Sequence, residues 1–264
     1  MKSLLAPLLL ILAFIFAQAA QAAWAAPGDG ETPAARGGVT VSEDHQTMDR
    51  KMLVDELRRE GIVNPDVLAA IGRVPRHEFV PPALRDQAYE NYPLSIGEGQ
   101  TISQPYIVAF MTEAAALQRT SNVLEIGTGS GYQAAILAEV LGLGPEGGAA
   151  AQGRLASIEV VPSLADAAKT LLHRLGYEVE LRSGDGYRGW PERAPFDAIL
   201  VTAAPDHVPP TLKEQLKLGG RLIIPVGDET QQMMIITRTE EGYRTETVLP
   251  VRFVPMTGEA QYPR

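Results

Sequence analysis

From Asn122 onward, short apolar runs alternate with stretches whose apolar residues recur at helical spacing. The runs predict strands near 122–126, 154–158, 177–182 and 196–201, with helices between them. One of those helices begins at Tyr132, where Ala135, Ile136, Ala138 and Leu141 form an apolar face. This rhythm predicts an α/β fold, a doubly wound and mostly parallel sheet of Rossmann-like design. After Gly219-Gly220 the rhythm changes. Segments 221–226, 232–238 and 244–251 read as strands, and only Glu240-Glu241-Gly242 separates the last two. Those two are expected to be an antiparallel pair.

Helices are expected ahead of the sheet. Met48, Met52, Leu53 and Leu57 fit one that ends at Gly61. Asn64-Pro65-Asp66 starts another, with Asn64 as cap and Pro65 at the first helical position; it carries Val67, Leu68 and Ile71 and stops near Gly72. Pro75, Pro81 and Pro82 then hold an extended crossing segment. Residues 144–153 form a Gly/Ala loop inside one crossover, and the chain shows no internal repeat.

The N-terminus follows a different pattern. Met1-Lys2-Ser3 precedes an apolar run at 4–17, and Ala-x-Ala patterns follow at Ala17, Ala20 and Ala23. Residues 1–25 read as a secretory signal peptide, cleaved after Ala22 or Ala25, with a retained anchor as the alternative. Residues 26–46 read as a flexible linker and 47–264 as the functional domain. A periplasmic or secreted location is therefore expected, with no stable membrane association once the signal is removed.

Composition narrows the function. A formal net charge of −9 without a basic run disfavours nucleic-acid binding. With no cysteine, thiol catalysis and thiolate metal sites are excluded. His45, His77, His173 and His207 are scattered, with no pair at zinc-ligand spacing, so no metal is expected.

The candidate chemistry gathers at three strand ends. Val123-Leu124-Glu125-Ile126 runs into Gly127-Thr128-Gly129-Ser130-Gly131 and then into a helix. Alternate glycines clear side chains from a sharp turn, and the helix start offers free N–H groups to a nucleotide-like ligand. The third glycine is misplaced for a dinucleotide fingerprint, and Tyr132 follows it. With Glu125 inside the strand, the motif resembles the first motif of S-adenosylmethionine-dependent methyltransferases. The next strand ends in Glu159, whose two oxygens match the vicinal diol of a ribose. The one after leads into Ser183-Gly184-Asp185-Gly186, which places Asp185 to meet an adenine amino group. Taken singly, either acid could be a solvated loop residue or a helix cap.

A closer likeness covers residues 47 to 257. It is carried by Arg73-Val74-Pro75-Arg76-His77-Glu78-Phe79-Val80-Pro81, Tyr92-Pro93-Leu94, Gly97-Glu98-Gly99-Gln100-Thr101-Ile102-Ser103-Gln104-Pro105-Tyr106, Pro195-Phe196-Asp197-Ala198-Ile199 and Arg252-Phe253-Val254-Pro255. Together with the glycine loop and Gly184-Asp185-Gly186, these resemble the protein-L-isoaspartate O-methyltransferase family. Members of that family are usually cytoplasmic, which stands against the export signal. The resemblance implies S-adenosyl-L-methionine as cofactor, isoaspartyl proteins and peptides as partners, and a monomer. It implies cofactor contacts from Thr101, Ile102, Glu125, Gly127, Thr128, Gly129, Ser130, Gly131, Glu159, Asp185, Gly186, Thr202 and Thr257. It places Ser103 beside the reacting carboxylate, with Gln104, Pro225, Val226, Gly227 and Val254 along the substrate groove. Tyr106 and Val108 stand where the animal form has histidines, so no histidine role carries over.

The chemistry is coherent with these residue types. The α-carboxylate of an isoaspartyl residue is already ionised at neutral pH, so its methylation needs no general base. Ser103-Gln104-Pro105 opens an apolar helix, and Ser103 is expected both to cap that helix and to donate to the substrate carboxylate; the alternative is a cap alone. A small-molecule methyltransferase and a non-catalytic nucleoside-binding envelope protein remain alternatives at this stage.

Overall fold

The computed structural model describes residues 43–147 and 152–261. The expected signal peptide, the linker up to 42 and the tip of the Gly/Ala loop lie outside the described residues. The first helix, α1 (Glu43–Arg59), begins ahead of the expected 47. Its first turn, Glu43-Asp44-His45-Gln46, is wholly polar and so carries no hydrophobic signal. In α2 (Pro65–Arg73) the Asn64 side chain accepts from the N–H groups of Asp66 and Val67, as the sequence predicts. Short 3₁₀ helices at Arg76–Phe79 and Pro82–Gln87 occupy the proline-rich crossing, which the prolines predict to be extended.

A two-stranded hairpin, β1 (Leu94–Gly97) and β2 (Gln100–Ile102), precedes α3 (Pro105–Ala114). Its strands are too short to alternate visibly, which hides them from a periodicity argument. Glu98 and Gly99 both take positive φ at its tip, as tight two-residue hairpin turns require.

The main sheet is built from β3 (Asn122–Ile126), β4 (Arg154–Glu159), β5 (Glu180–Ser183), β6 (Phe196–Val201), β7 (Leu216–Val226), β8 (Gln231–Thr239) and β9 (Gly242–Val251). The connecting helices are α4 (Tyr132–Leu141), α5 (Pro162–Arg174) and α6 (Pro210–Glu214). Strand order is β5-β4-β3-β6-β7-β8-β9. Five strands are parallel; β8 runs antiparallel to both β7 and β9. The order reverses at β3, which has β4 on one side and β6 on the other, so a crevice opens at the C-terminal ends of these strands.

Two features depart from the sequence pattern. Strand β5 starts at Glu180, because Gly176 ends α5 in the left-handed region and the N–H of Tyr177 turns back to Leu172 O, 2.9 Å. Helix α4 is buried on every side instead of showing one apolar face, which is the mark of a central helix. Side-chain alternation along the strands divides the core into two layers. Val123, Ala198, Leu200 and Ile223 pack on the side of α1 to α4, and Leu124, Ile126, Ile199 and Leu222 on the other. No helix among the described residues is long and apolar enough to cross a membrane.

Candidate active site

The glycine loop is held from below and from the side. Gly127, Gly129 and Gly131 all have positive φ (96°, 54° and 91°). The N–H groups of Gly127 and Thr128 both reach Ile158 O on β4. Thr202, just after β6, donates its hydroxyl to Gly127 O at 2.6 Å, and a Cβ at Gly127 would stand 2.3 Å from Thr202 Oγ1. Close approach as well as φ therefore demands glycine there. Gly131 precedes α4, whose first turn has no side-chain cap.

Glu159 is 5% exposed, and its carboxylate accepts from Gly129 N at 2.7 Å and Val161 N at 3.0 Å. These charge-assisted bonds fix its direction, and each oxygen keeps a lone pair for a further donor. Gly186 lies across the crevice, where a Cβ would fall 2.2 Å from Ile126 Cγ2. Beside it, the Asp185 carboxylate accepts from Tyr187 N at 2.9 Å and from Glu259 N at 2.7 Å. Asp185 thus ties down the C-terminal segment. That segment also docks through a parallel bridge between Ala204 and Pro255 and through Phe253 on the Gln231 side chain.

One cleft results. Of the residues assigned to the cofactor, Thr101, Gly127, Gly129, Glu159, Gly186, Thr202 and Thr257 line it, with Val254, assigned to the substrate groove; Ile126, Ile158, Val160 and Met256 add apolar walls. Six residues assigned to the cofactor stand outside this lining, Asp185 with its two bonds to Tyr187 N and Glu259 N among them. Ile102 is 4% exposed and packs into the core. Ser130 and Gly131 turn away from the cleft lining into the start of α4. Thr128 is buried beneath the loop, its hydroxyl 2.6 Å from Ser157 Oγ.

Glu125 also stands apart from the lining. It shares the strand face of Val123 and is fully buried behind the loop, outside the cleft lining. Ser157 Oγ donates to its Oε2 at 2.5 Å, and Oε1 has no partner. Burial pushes this carboxyl up to about 8; the Ser157 bond opposes the shift and the Glu159 charge adds to it. Burial thus favours the protonated form of Glu125, which props the loop through Ser157 and Thr128.

The substrate side also differs in part. Ser103 does not cap α3. The cap position is Gln104, which makes no side-chain cap bond, and the N–H of Tyr106 is met by Asn91 Oδ1 at 3.0 Å. The Ser103 hydroxyl makes no hydrogen bond among the described residues, while its carbonyl accepts from buried Arg76 at 2.9 Å. Pro225 and Val226 end β7, and Gly227 N donates to Pro205 O; these three, like Ser103 and Gln104, lie outside the cleft lining. Asn91 escaped the sequence reading because it comes from a loop with no periodic signal. Arg76 lies inside a noted motif, but nothing in the motif marks it as buried.

A glycine loop at the switch point, a buried carboxylate one strand along that holds the loop and a glycine-backed apolar wall define a class I S-adenosylmethionine-dependent methyltransferase. The family model for protein-L-isoaspartate(D-aspartate) O-methyltransferase (PCMT) matches residues 48–261. The chain belongs to that family. It is 53% identical over 211 residues to a protein-L-isoaspartate O-methyltransferase of Gloeobacter violaceus, covering 79% of this chain and 98% of the relative. It is 53% identical over 221 residues to one from Opitutus terrae, covering 82% and 90%. Among solved structures, a protein-L-isoaspartate O-methyltransferase matches with a TM-score of 0.71 at 32% identity, over 80% of this chain and 67% of that one. A Plasmodium falciparum protein solved with S-adenosyl-L-homocysteine matches with a TM-score of 0.69 at 25% identity, over 79% and 98%.

Proposed function

We infer that the protein transfers the methyl group of S-adenosyl-L-methionine to the free α-carboxylate of L-isoaspartyl residues, with Ser103 holding that carboxylate. The observation that carries the reading is the freed hydroxyl of Ser103. It stands two residues beyond Thr101, which lines the cofactor cleft, at the start of a helix that another residue already caps. A donor kept unpaired beside the helix N-terminus suits an incoming anion.

Bound in the cleft, the cofactor supplies an activated methyl group. The chain's residues do the rest. Glu159 takes the ribose diol, the glycine loop admits the methionine part at close range, and Ile126, Ile158 and Met256 flank the base. The segment from Val254 to Thr257 forms one wall of the cleft, where it can limit the access of water to the reacting atoms. The reaction is an in-line displacement by a carboxylate ionised well below pH 7, so alignment replaces general-base catalysis. The product ester has a better leaving group than a carboxylate. Attack by the neighbouring backbone nitrogen expels methanol and closes a succinimide, which water reopens in part to normal aspartate.

The deciding assay offers labelled cofactor with an isoaspartyl peptide and its normal-aspartyl twin. Label is expected in the first alone; equal labelling, or labelling of small acids only, would refute the assignment.

The finer expectations belong to the same reading. Export is supported by the apolar run at 4–17 and the Ala-x-Ala sites that follow. N-terminal sequencing of the native protein is expected to find a start after Ala22 or Ala25. A monomer is part of the same reading, and light scattering checks it.

A further inference from the structure

We propose that Arg76 is a positioning residue for methyl transfer, a buried guanidinium that locks the Ser103 peptide to the helix following the glycine loop. This rests on the reading of the cleft given above. Arg76 is 0% exposed and makes no ion pair with a carboxylate among the described residues. Its Nη2 donates to Ser103 O at 2.9 Å. Its guanidinium carbon lies 4.6 Å from the centre of the Tyr132 ring. Nε and Nη1 have no hydrogen-bond partner.

These contacts join the two halves of the site. Ser103 follows β2, whose Thr101 lines the cleft, and carries the donor for the nucleophile. Tyr132 is the first residue of α4, directly after Gly131. A charged donor on Ser103 O fixes that peptide plane, and with it the direction in which the hydroxyl leaves the backbone. Stacking on Tyr132 ties the same group to the element that carries the cofactor loop. One rigid planar cation therefore sets the separation between the carboxylate's seat and the methyl donor's seat. Burying an arginine without a carboxylate is costly, and an apolar residue of similar volume at such a place is commonly neutral or stabilising. Stability alone does not account for Arg76.

The inference separates position from folding. Arg76→Met removes the donor and the charge but keeps much of the volume. Its kcat for an isoaspartyl peptide is expected to fall about 10- to 100-fold, since misplacement by about 1 Å costs on that order. Its peptide KM should rise less than kcat falls, S-adenosylhomocysteine should bind within about threefold of the parent, and the melting temperature should hold or rise. Arg76→Lys keeps the charge and one donor and should recover part of kcat. A kcat for Arg76→Met within about twofold of the parent overturns the proposal, and so does a loss that tracks falling melting temperature. Should the methionine variant misfold, full kcat in Arg76→Lys would overturn it, because lysine cannot reproduce the planar bridge. A parent protein that labels no isoaspartyl peptide would instead refute the function, a failure visible before any variant is made.

Discussion

Two side chains that look alike in sequence divide their tasks in space. Ser103 stands one residue before the cap position of α3, and Asn91 satisfies the N–H of Tyr106 from 15 residues away. Ser103→Ala should therefore lower kcat/KM about tenfold or more, equivalent to about 1.4 kcal/mol of lost transition-state stabilisation, with helix content and melting temperature unchanged. Asn91→Ala should do the reverse, costing about 1 kcal/mol of stability through the lost cap. Circular dichroism melts beside initial rates distinguish them, and equal stability losses in both variants would count against Ser103 as the substrate donor. Glu125 gives a pH test. Its folded value of about 8 lies above the ordinary 4.5, so the native state holds the proton more tightly than the unfolded chain. The stabilisation is complete below the ordinary value, declines by up to about 1.4 kcal/mol per pH unit as pH rises, and is gone above the folded value. Urea unfolding of Glu125→Gln and parent between pH 5 and 8.5 should show the variant gaining relative stability toward high pH. A constant difference would mean that the carboxyl ionises normally. Glu159 was legible in the sequence because strand period and order alone put it at the crevice. Glu125 looked equally functional, but the two-residue period of β3 turns it to the face behind the loop, a distinction that a motif does not express.

At the scale of elements, the strand-loop-helix unit was legible because its residues are contiguous. What the loop leans on was not. Thr202 reaches Gly127 across more than seventy residues, and Asp185 holds the backbone of Glu259 across a similar span. Such pairings depend on the β3–β6 register and on the path of the C-terminal segment, which no local pattern encodes. Gly127→Ala tests the packing. The methyl would press on Thr202 Oγ1, and φ of 96° adds roughly 1–2 kcal/mol of left-handed strain. S-adenosylhomocysteine affinity should drop by about tenfold or more, as 1.4 kcal/mol of strain implies. Adding Thr202→Ala removes the clash but leaves the φ strain, so the double variant should bind better than the sum of single losses predicts. Additive losses by calorimetric titration would show that backbone strain alone makes the glycine necessary.

The whole molecule follows from one topological fact, the reversal of strand order at β3. It brings the C-terminal ends of β3, β4 and β6 to one crevice, and the antiparallel β8 and β9 return the chain so that residues 254–257 lie across it. The alternation of strands and helices foretold the parallel half. The antiparallel pairing of β8 with β7 was open, because 221–226 and 232–238 show strand character without stating their neighbours. Since the cleft is built from segments at both ends of the fold, occupying it should stabilise the fold as a unit. At S-adenosylhomocysteine a hundredfold above its dissociation constant, linkage gives about 2.7 kcal/mol. For a domain of this size that is a rise in melting temperature of about 5–10 °C. Glu159→Gln keeps the shape but weakens acceptance from Gly129 N, Val161 N and the ribose diol, so its ligand-induced rise should be markedly smaller. Differential scanning calorimetry across a ligand series measures both. A shift that leaves Glu159→Gln level with the parent would place the ligand away from Glu159, whose carboxylate lines this crevice and holds the middle glycine of the loop.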